Sequence, residues 1–279
     1  MAGCLRKWVS DNFNLTYCHF DEVRGEIFYT MRGVNVWCRR FLAIARNDRN
    51  SNNTHINLLK NFTAIFDMDG TMVDNTPYHF KSWQHMFKKY NMGELSVETY
   101  KKEISGVPII ETLRRLFSDK YDEDGLKKLL NEKEAYYREI YAPFLRPING
   151  LENFLTELKE AGVKMAMASS ATMGDIDFIL DRIPVRQDFE AIIDGSRVSK
   201  GKPNPQIFLK AAADLDANPA DCVVFEDSLA GIKAANAAGM KVVGITTGHS
   251  AADLQPSNLV IDDYSTLTVQ KLAALFEKD

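Results

Sequence analysis

The chain is short of cysteine, has no long apolar run, and carries no surplus of positive charge. Four cysteines, Cys4, Cys18, Cys38 and Cys222, stand among 279 residues. Their spacings fit neither a zinc site nor a CxxC redox motif, so reduced thiols are expected. No apolar stretch approaches the ~18 residues of a membrane helix, and no membrane partner is expected. The net charge is -4, so the whole molecule has no basic signature of nucleic-acid binding. The opening residues MAGCLRKWVSDNFN lack the apolar core of a secretory signal, which makes the cytoplasm the expected compartment. What is present is globular composition, 45% hydrophobic and 26% charged, at a length that suggests one or two domains.

The first 61 residues differ from the rest. They hold three of the four cysteines, two of the three tryptophans (Trp8 and Trp37), and nine Lys/Arg against five acids. The segment thus carries +4 and the remainder -8. Residues 46–61 are rich in Asn and read as a linker. Transit peptides are poor in acids, and this segment is not. The expectation is a poorly ordered N-terminal extension over 1–61, outside the fold.

From residue 62 a regular pattern begins. Phe62–Met68 is a short apolar run of the kind buried on both faces of a sheet. Pro77 suits the first turn of a helix, with Asn75 or Thr76 as its cap. Phe80, Trp83, Phe87 and Tyr90 follow at helical spacing. Further helical stretches cover 97–104, 109–117 and 124–141, where Leu126, Leu129, Leu130 and Lys133 keep the period. Residues 77–143 therefore read as a small helical module inserted after the first strand. Beyond Pro147 and Gly150, helices and strands alternate, with strands at 163–168, 191–193, 222–225, 241–245 and 259–261. The alternation predicts an α/β fold, a Rossmann-like parallel sheet with helices on both faces. Its core is expected over 62–76 and 144–279. In such sheets ligands bind beyond the carboxyl ends of the strands.

Four polar clusters stand at or beside those ends. Asp67-Met68-Asp69-Gly70-Thr71 places two carboxylates where one can serve as nucleophile and the other as acid and base. Their repulsion calls for a cation, and Mg2+ takes oxygen ligands. Ser169 and Ser170 precede a helix and suit a phosphate as well as simple capping. Lys202 sits in the proline-bracketed loop Lys200–Pro205, as a point charge against phosphate. Glu226 and Asp227 end another strand, where they either complete a metal site or stabilise the next helix N-terminus.

Together these motifs, FDMDGT (66–71), ASS (168–170), GKPNP (201–205) and FEDSLAGIKAANAAGM (225–240), resemble the haloacid dehalogenase superfamily. The resemblance covers about residues 62–279, and the inserted helices look like that superfamily's small cap. It implies that Asp67 attacks a phosphoryl phosphorus to form an aspartyl-phosphate. Asp69 would protonate the leaving oxygen and then activate the acceptor. Mg2+ would be held by Asp67, the backbone oxygen of Asp69, and Asp227, with Glu226 as ligand or support. Ser169, Ser170 and Lys202 would bind the phosphoryl oxygens.

Within the superfamily the chain looks most like β-phosphoglucomutase and its sugar-phosphatase relatives. By that match His79 orients Asp69 or acts in hinge closure, Trp83 lines the substrate pocket, and Gly106 and Thr112 belong to the substrate-facing cap loop. The departures lie in the cations. Ser105 and Ile109 stand where the mutase has a lysine and an arginine, and Thr172 replaces another lysine. A mutase must hold a bisphosphate at both ends, with Arg114 or Arg115 the nearest replacements. The expectation is therefore a Mg2+-dependent phosphatase of small phosphorylated metabolites, sugar phosphates foremost, acting as a monomer. The alternatives are β-phosphoglucomutase, inorganic pyrophosphatase, and a non-enzymatic scaffold whose interest lies in the basic arm.

Overall fold

A computed structural model describes residues 17–21, 26–31, 34–38 and 62–277. The chain divides into two compact units, Met1–Leu58 and Leu59–Asp279. In the first, β1 (Tyr17–Asp21), β2 (Glu26–Met31) and β3 (Val34–Cys38) form an antiparallel sheet in sequence order. The register of the second pair runs from Ile27 opposite Cys38 to Met31 opposite Val34. A poorly ordered extension is expected here from the sequence, whereas these residues pair as strands; the signal is the aromatic and β-branched content of 26–37. The remainder of the expected extension lies outside the described residues.

The second unit starts with β4 (Thr63–Phe66) and then turns helical: α1 (Thr76–Lys89), α2 (Val97–Glu103), α3 (Ile109–Phe117) and α4 (Glu123–Tyr141). Alternation follows, as α5 (Leu151–Glu160), β5 (Lys164–Ala168), α6 (Met173–Leu180), β6 (Ala191–Ile193), α7 (Gln206–Asp214), β7 (Cys222–Glu226), α8 (Leu229–Ala237), β8 (Lys241–Ile245), β9 (Leu259–Ile261) and α9 (Val269–Ala273). The six strands from β4 onward form one parallel sheet in the order β6-β5-β4-β7-β8-β9. The chain winds outward from β4 in one direction and then from β7 in the other. The boundary between β4 and β7 is therefore the switch point of the sheet, where ligands gather.

Alternation along each strand divides the core in two. Ala64, Phe66, Met165, Met167, Val223 and Phe225 face α5, α6 and α9. Ile65, Ala166, Ala168, Cys222 and Val224 face α7 and α8. Successive side chains point to opposite faces of a strand, so these short apolar runs fill both layers. The helices α1–α4 have a core of their own, built on Trp83, Met86, Tyr100, Leu113, Phe117, Leu126 and Leu129. The far end of α4 leaves that core, because Tyr137 and Tyr141 pack with the main sheet layer. No helix among the described residues is long and apolar enough to cross a membrane.

Candidate active site

Strand register brings the acids together. Phe66 of β4 pairs with Phe225 of β7, and their rings stack at 4.3 Å and 2°. The next residues stand at one level at this end of the sheet: Asp67 just beyond β4 and Glu226 as the last residue of β7, with Asp227 after. The Asp67 amide still donates to the Phe225 carbonyl at 3.0 Å. On the other flank Ser169 follows β5, its amide on the Ile193 carbonyl at 2.9 Å.

Lys202 enters from the loop before α7. Its Nζ donates to Asp67 Oδ1 and to Glu226 Oε1, each at 2.6 Å. Burial opposes its charge, but the two carboxylates outweigh burial and raise its pKa above the usual lysine value. The second oxygen of Glu226 accepts from the Ser228 amide at 2.7 Å. Both Glu226 oxygens are thus engaged, and α8 closes on them, since a side chain at Gly231 would strike this carboxylate. Glu226 acts first as a brace for Lys202.

Asp227 is different. It is buried, and no donor side chain or amide reaches its carboxylate among the described residues. Gly70, at φ +75°, and Gly248 press directly on it, so a β-carbon at either would collide with its Oδ2. Burial pushes Asp227 well above the usual carboxylate range, and Glu226 and Asp67 add to the rise. Burial likewise pushes Asp67 up to about 8; Lys202 pulls against it, while Glu226 and Asp69 push further. Asp67, Glu226 and Asp227 each offer an oxygen, and the three lie within 4.8 Å of one another. One lysine cannot balance three buried carboxylates. A hard divalent cation on these oxygens supplies what is missing, so the donor set fits Mg2+.

Asp69 belongs to another network. Asn75 Nδ2 donates to Asp69 Oδ1 at 2.5 Å and also lies 2.7 Å from Tyr137 Oη, while Asn75 Oδ1 accepts from the Gly70 amide at 3.2 Å. Asn75 stands at the head of α1 but makes no capping hydrogen bond. The expected cap instead ties the acidic loop to α4. His79 Nε2 lies 3.6 Å from Asp69 Oδ1, and its ring stacks on Tyr137 at 3.9 Å. His79 Nδ1 lies 2.9 Å from Lys133 Nζ. An ammonium only donates, so Nδ1 accepts and the ring proton sits on Nε2, toward Asp69. Burial acts to raise the Asp69 pKa, but contact with His79, the Asn75 amide and the Lys133 charge outweigh it and hold it below the usual range. The Asp69 carboxylate stays outside the cluster of Asp67, Glu226 and Asp227.

Asp67, Asp69, His79, Trp83, Gly106, Ser169, Ser170, Lys202 and Asp227 line one cavity of about 110 Å³. Glu226 stands behind Lys202. Thr112 does not line the cavity: it is buried within α3, and Ile109, one turn earlier, is the residue of that helix that does. Gly106, at φ +77°, lets the loop between α2 and α3 lie against Ser228 and Ala230, and Pro108 of the same loop packs on Gly201. Arg114 and Arg115 face away, held by Glu123 and by the Glu103 carbonyl. The buried cation on the helical side is Lys133, which the sequence reading took for a member of a helical stripe. A charge on an otherwise apolar face was the available signal. Its neighbour Glu134, with Tyr100 and Asp175, also lines the cavity unforeseen.

Paired acids, a lysine and a hydroxyl thus meet at the switch point of a parallel α/β sheet, the arrangement of an α/β enzyme site. Residues 64–245 match the haloacid dehalogenase-like hydrolase family, and the chain belongs to that family. It is 33% identical to β-phosphoglucomutase of Bacillus subtilis over 223 residues, 77% of this chain and 95% of that protein. It is 30% identical to the phosphorylated carbohydrates phosphatase of Thermotoga maritima over 191 residues, 68% of this chain and 87% of that protein. The crystal structure of β-phosphoglucomutase from Clostridium difficile superposes with a TM-score of 0.68 at 27% identity, covering 77% of this chain and 96% of that one. These likenesses place the chain in the β-phosphoglucomutase-like branch.

Proposed function

We propose that this chain is a Mg2+-dependent phosphatase of small phosphomonoesters, sugar phosphates foremost, working through an aspartyl-phosphate. The observation that carries the reading is the split between the two loop acids: Asp67 faces Lys202 at 2.6 Å, while Asp69 is held apart by Asn75 and His79. Asp67 Oδ attacks phosphorus, the phosphorus–oxygen bond of the ester breaks, and Asp69 gives its proton to the leaving oxygen. A dianionic phosphate beside Asp69 pushes its pKa upward, the direction an acid requires. Asp69 then takes a proton from water, which attacks the aspartyl-phosphate and frees Asp67. Lys202 and Ser169, with Ser170, hold the phosphoryl oxygens. Mg2+, held by Asp67, the Asp69 backbone oxygen and Asp227, with Glu226 in support, supplies charge neutralisation when bound.

The cavity of about 110 Å³ admits a phosphoryl group but lies below the ~300 Å³ of ordinary ligand pockets. In this reading residues 77–143 form a cap that lifts from 62–76 and 144–279 to admit the ester and closes through Gly106 and Pro108. The enzyme works as a cytoplasmic monomer on a free small molecule. Hydrolysis suits Ser105, Ile109 and Thr172 better than transfer within a bisphosphate, because none of them carries charge. The test supplies Mg2+ and β-glucose 1-phosphate with a trace of the 1,6-bisphosphate, and follows free phosphate and glucose 6-phosphate together. Phosphate release, abolished by Asp67→Asn, is expected. Glucose 6-phosphate formed without phosphate release would overturn the phosphatase in favour of the mutase.

A further inference from the structure

The cavity has two ends, and at the helical end two buried polar atoms lack a hydrogen-bond partner among the described residues: His79 Nε2, which still faces Asp69 at 3.6 Å, and Glu134 Oε2, which faces no opposite charge of its own. Lys133 is fully buried and donates to Glu134 Oε1 at 2.9 Å, with His79 Nδ1 at the same distance. Its ammonium also lies over the Trp83 and Tyr137 rings, at 5.7 and 5.4 Å. Asp175 accepts from Arg138 at 2.5 Å and from the Thr172 hydroxyl at 2.6 Å, one bond to each oxygen. Glu134 is 1% exposed, and its Oε2 has no hydrogen-bond partner. A carboxylate oxygen buried without a donor is costly, so such an atom marks a place that a ligand completes.

What would complete it follows from the surroundings. The cavity wall bears five carboxylates, Asp67, Asp69, Glu134, Asp175 and Asp227, against two ammoniums, Lys133 and Lys202. Both ammoniums are already paired with acids. A second phosphate at the helical end would meet the free oxygen of Glu134 with no unpaired cation beside it among the described residues. A hydroxyl or an amine would instead donate to that oxygen.

We infer that Glu134 is the specificity residue of this site, its Oε2 accepting a hydrogen bond from a hydroxyl or amine at the substrate end remote from the phosphate. The substrate is then a monophosphate with a donor at its far end, and not a bisphosphate. This rests on the phosphatase reading above and names the substrate class it leaves open. A charge-assisted hydrogen bond of this kind corresponds to roughly a ten- to hundredfold preference.

The experiment compares phosphate release from glucitol 6-phosphate, glucosamine 6-phosphate, fructose 1,6-bisphosphate and acetyl phosphate, which has no far-end donor, by the wild type and by Glu134→Gln. Wild-type kcat/KM for the two donor-bearing monophosphates is expected to exceed that for the other two by about tenfold or more. Glu134→Gln is expected to collapse that ratio through KM. A higher rate on the amine than on the polyol would identify the donor as cationic, and the reverse as a hydroxyl; either supports the inference. A uniform loss on all four substrates would assign Glu134 a structural role and overturn it. Wild-type turnover of the bisphosphate equal to that of glucitol 6-phosphate would overturn the inference and leave the phosphatase standing. Release of phosphate from none of the four would overturn both. Should Glu134→Gln fail to fold, the wild-type ratio alone decides.

Discussion

Lys202 and Lys133 are both buried beside carboxylates at the same cavity, yet they are held by different parts of the molecule. Lys202 is clamped by Asp67 and Glu226, which emerge from adjacent strands at one level because Phe66 and Phe225 are in register. Lys133 is clamped by its own neighbour Glu134 and by His79 of α1, so its place depends on how α1 and α4 pack. A parallel ladder allows no gradual adjustment of register, since a one-residue slip turns every side chain over. Helix faces can rotate and exchange residues at far smaller cost. The phosphate end of the cavity is therefore rigidly specified, and the far end is where substrate choice can change.

Substituting the two lysines tests this contrast most strongly. Lys202→Met is expected to lower kcat/KM on the order of a thousandfold, because it removes a preorganised charge from the transferring phosphoryl group. Lys133→Met is expected to cost activity about tenfold, chiefly through KM, yet to destabilise the fold by about 3–5 kcal/mol, since Glu134 is left buried and unpaired. Adding Glu134→Leu to Lys133→Met should restore most of that stability. Steady-state kinetics and thermal denaturation read both effects. Equal kinetic losses in the two lysine variants would break the comparison.

Metal binding gives a smaller effect with a defined sign. Asp67 is raised to about 8 and Asp227 is raised as well, both chiefly by burial. Their folded forms hold protons that the unfolded chain releases near pH ~4. Without metal, stability is greatest below that pH and falls as pH climbs through the raised values. Mg2+ binds the ionised carboxylates, so its stabilisation should be larger at pH 8 than at pH 5. It should reach about 2–3 kcal/mol at a hundredfold excess over Kd. Melting temperatures with Mg2+ and with chelator, at both pH values, check this; a larger shift at pH 5 would contradict it.

The smallest effect concerns His79. Asp69 is held below the usual range, so its contribution to stability is present above pH ~4 and is lost as pH falls through its depressed value. His79→Gln removes one of the groups holding it down. The acid limb of the pH–rate profile should move upward and kcat fall by roughly tenfold or less. An unmoved acid limb would mean that His79 does not act through Asp69.

The order of strands and helices from residue 62 onward was legible in the sequence, because each strand is a short apolar run and each helix repeats its apolar residues at three and four. The sheet end of the cavity was legible for the same reason: Asp67 and Ser169 directly follow strands and Glu226 ends one, so naming the strand ends names these residues. Arg114 and Arg115 were the wrong place to seek a cavity cation, because α3 turns them to Glu123 and the Glu103 carbonyl. Asn75 looked like a helix cap and serves the acidic loop instead. The sequence left Glu226 as either ligand or support; both its oxygens are occupied, whereas those of Asp227 are open to a cation.

Apolar periodicity and strand-end motifs, both local along the chain, carry the fold class and the residues at the sheet end of the cavity. They cannot show which helix faces which neighbour, because a period of 3.6 says which residues share a face and nothing about the surface that face will meet. Packing of α1 against α4 supplies that. It places Lys133, Glu134 and His79 around one cavity and leaves Glu134 Oε2 as the lining carboxylate oxygen without a partner among the described residues.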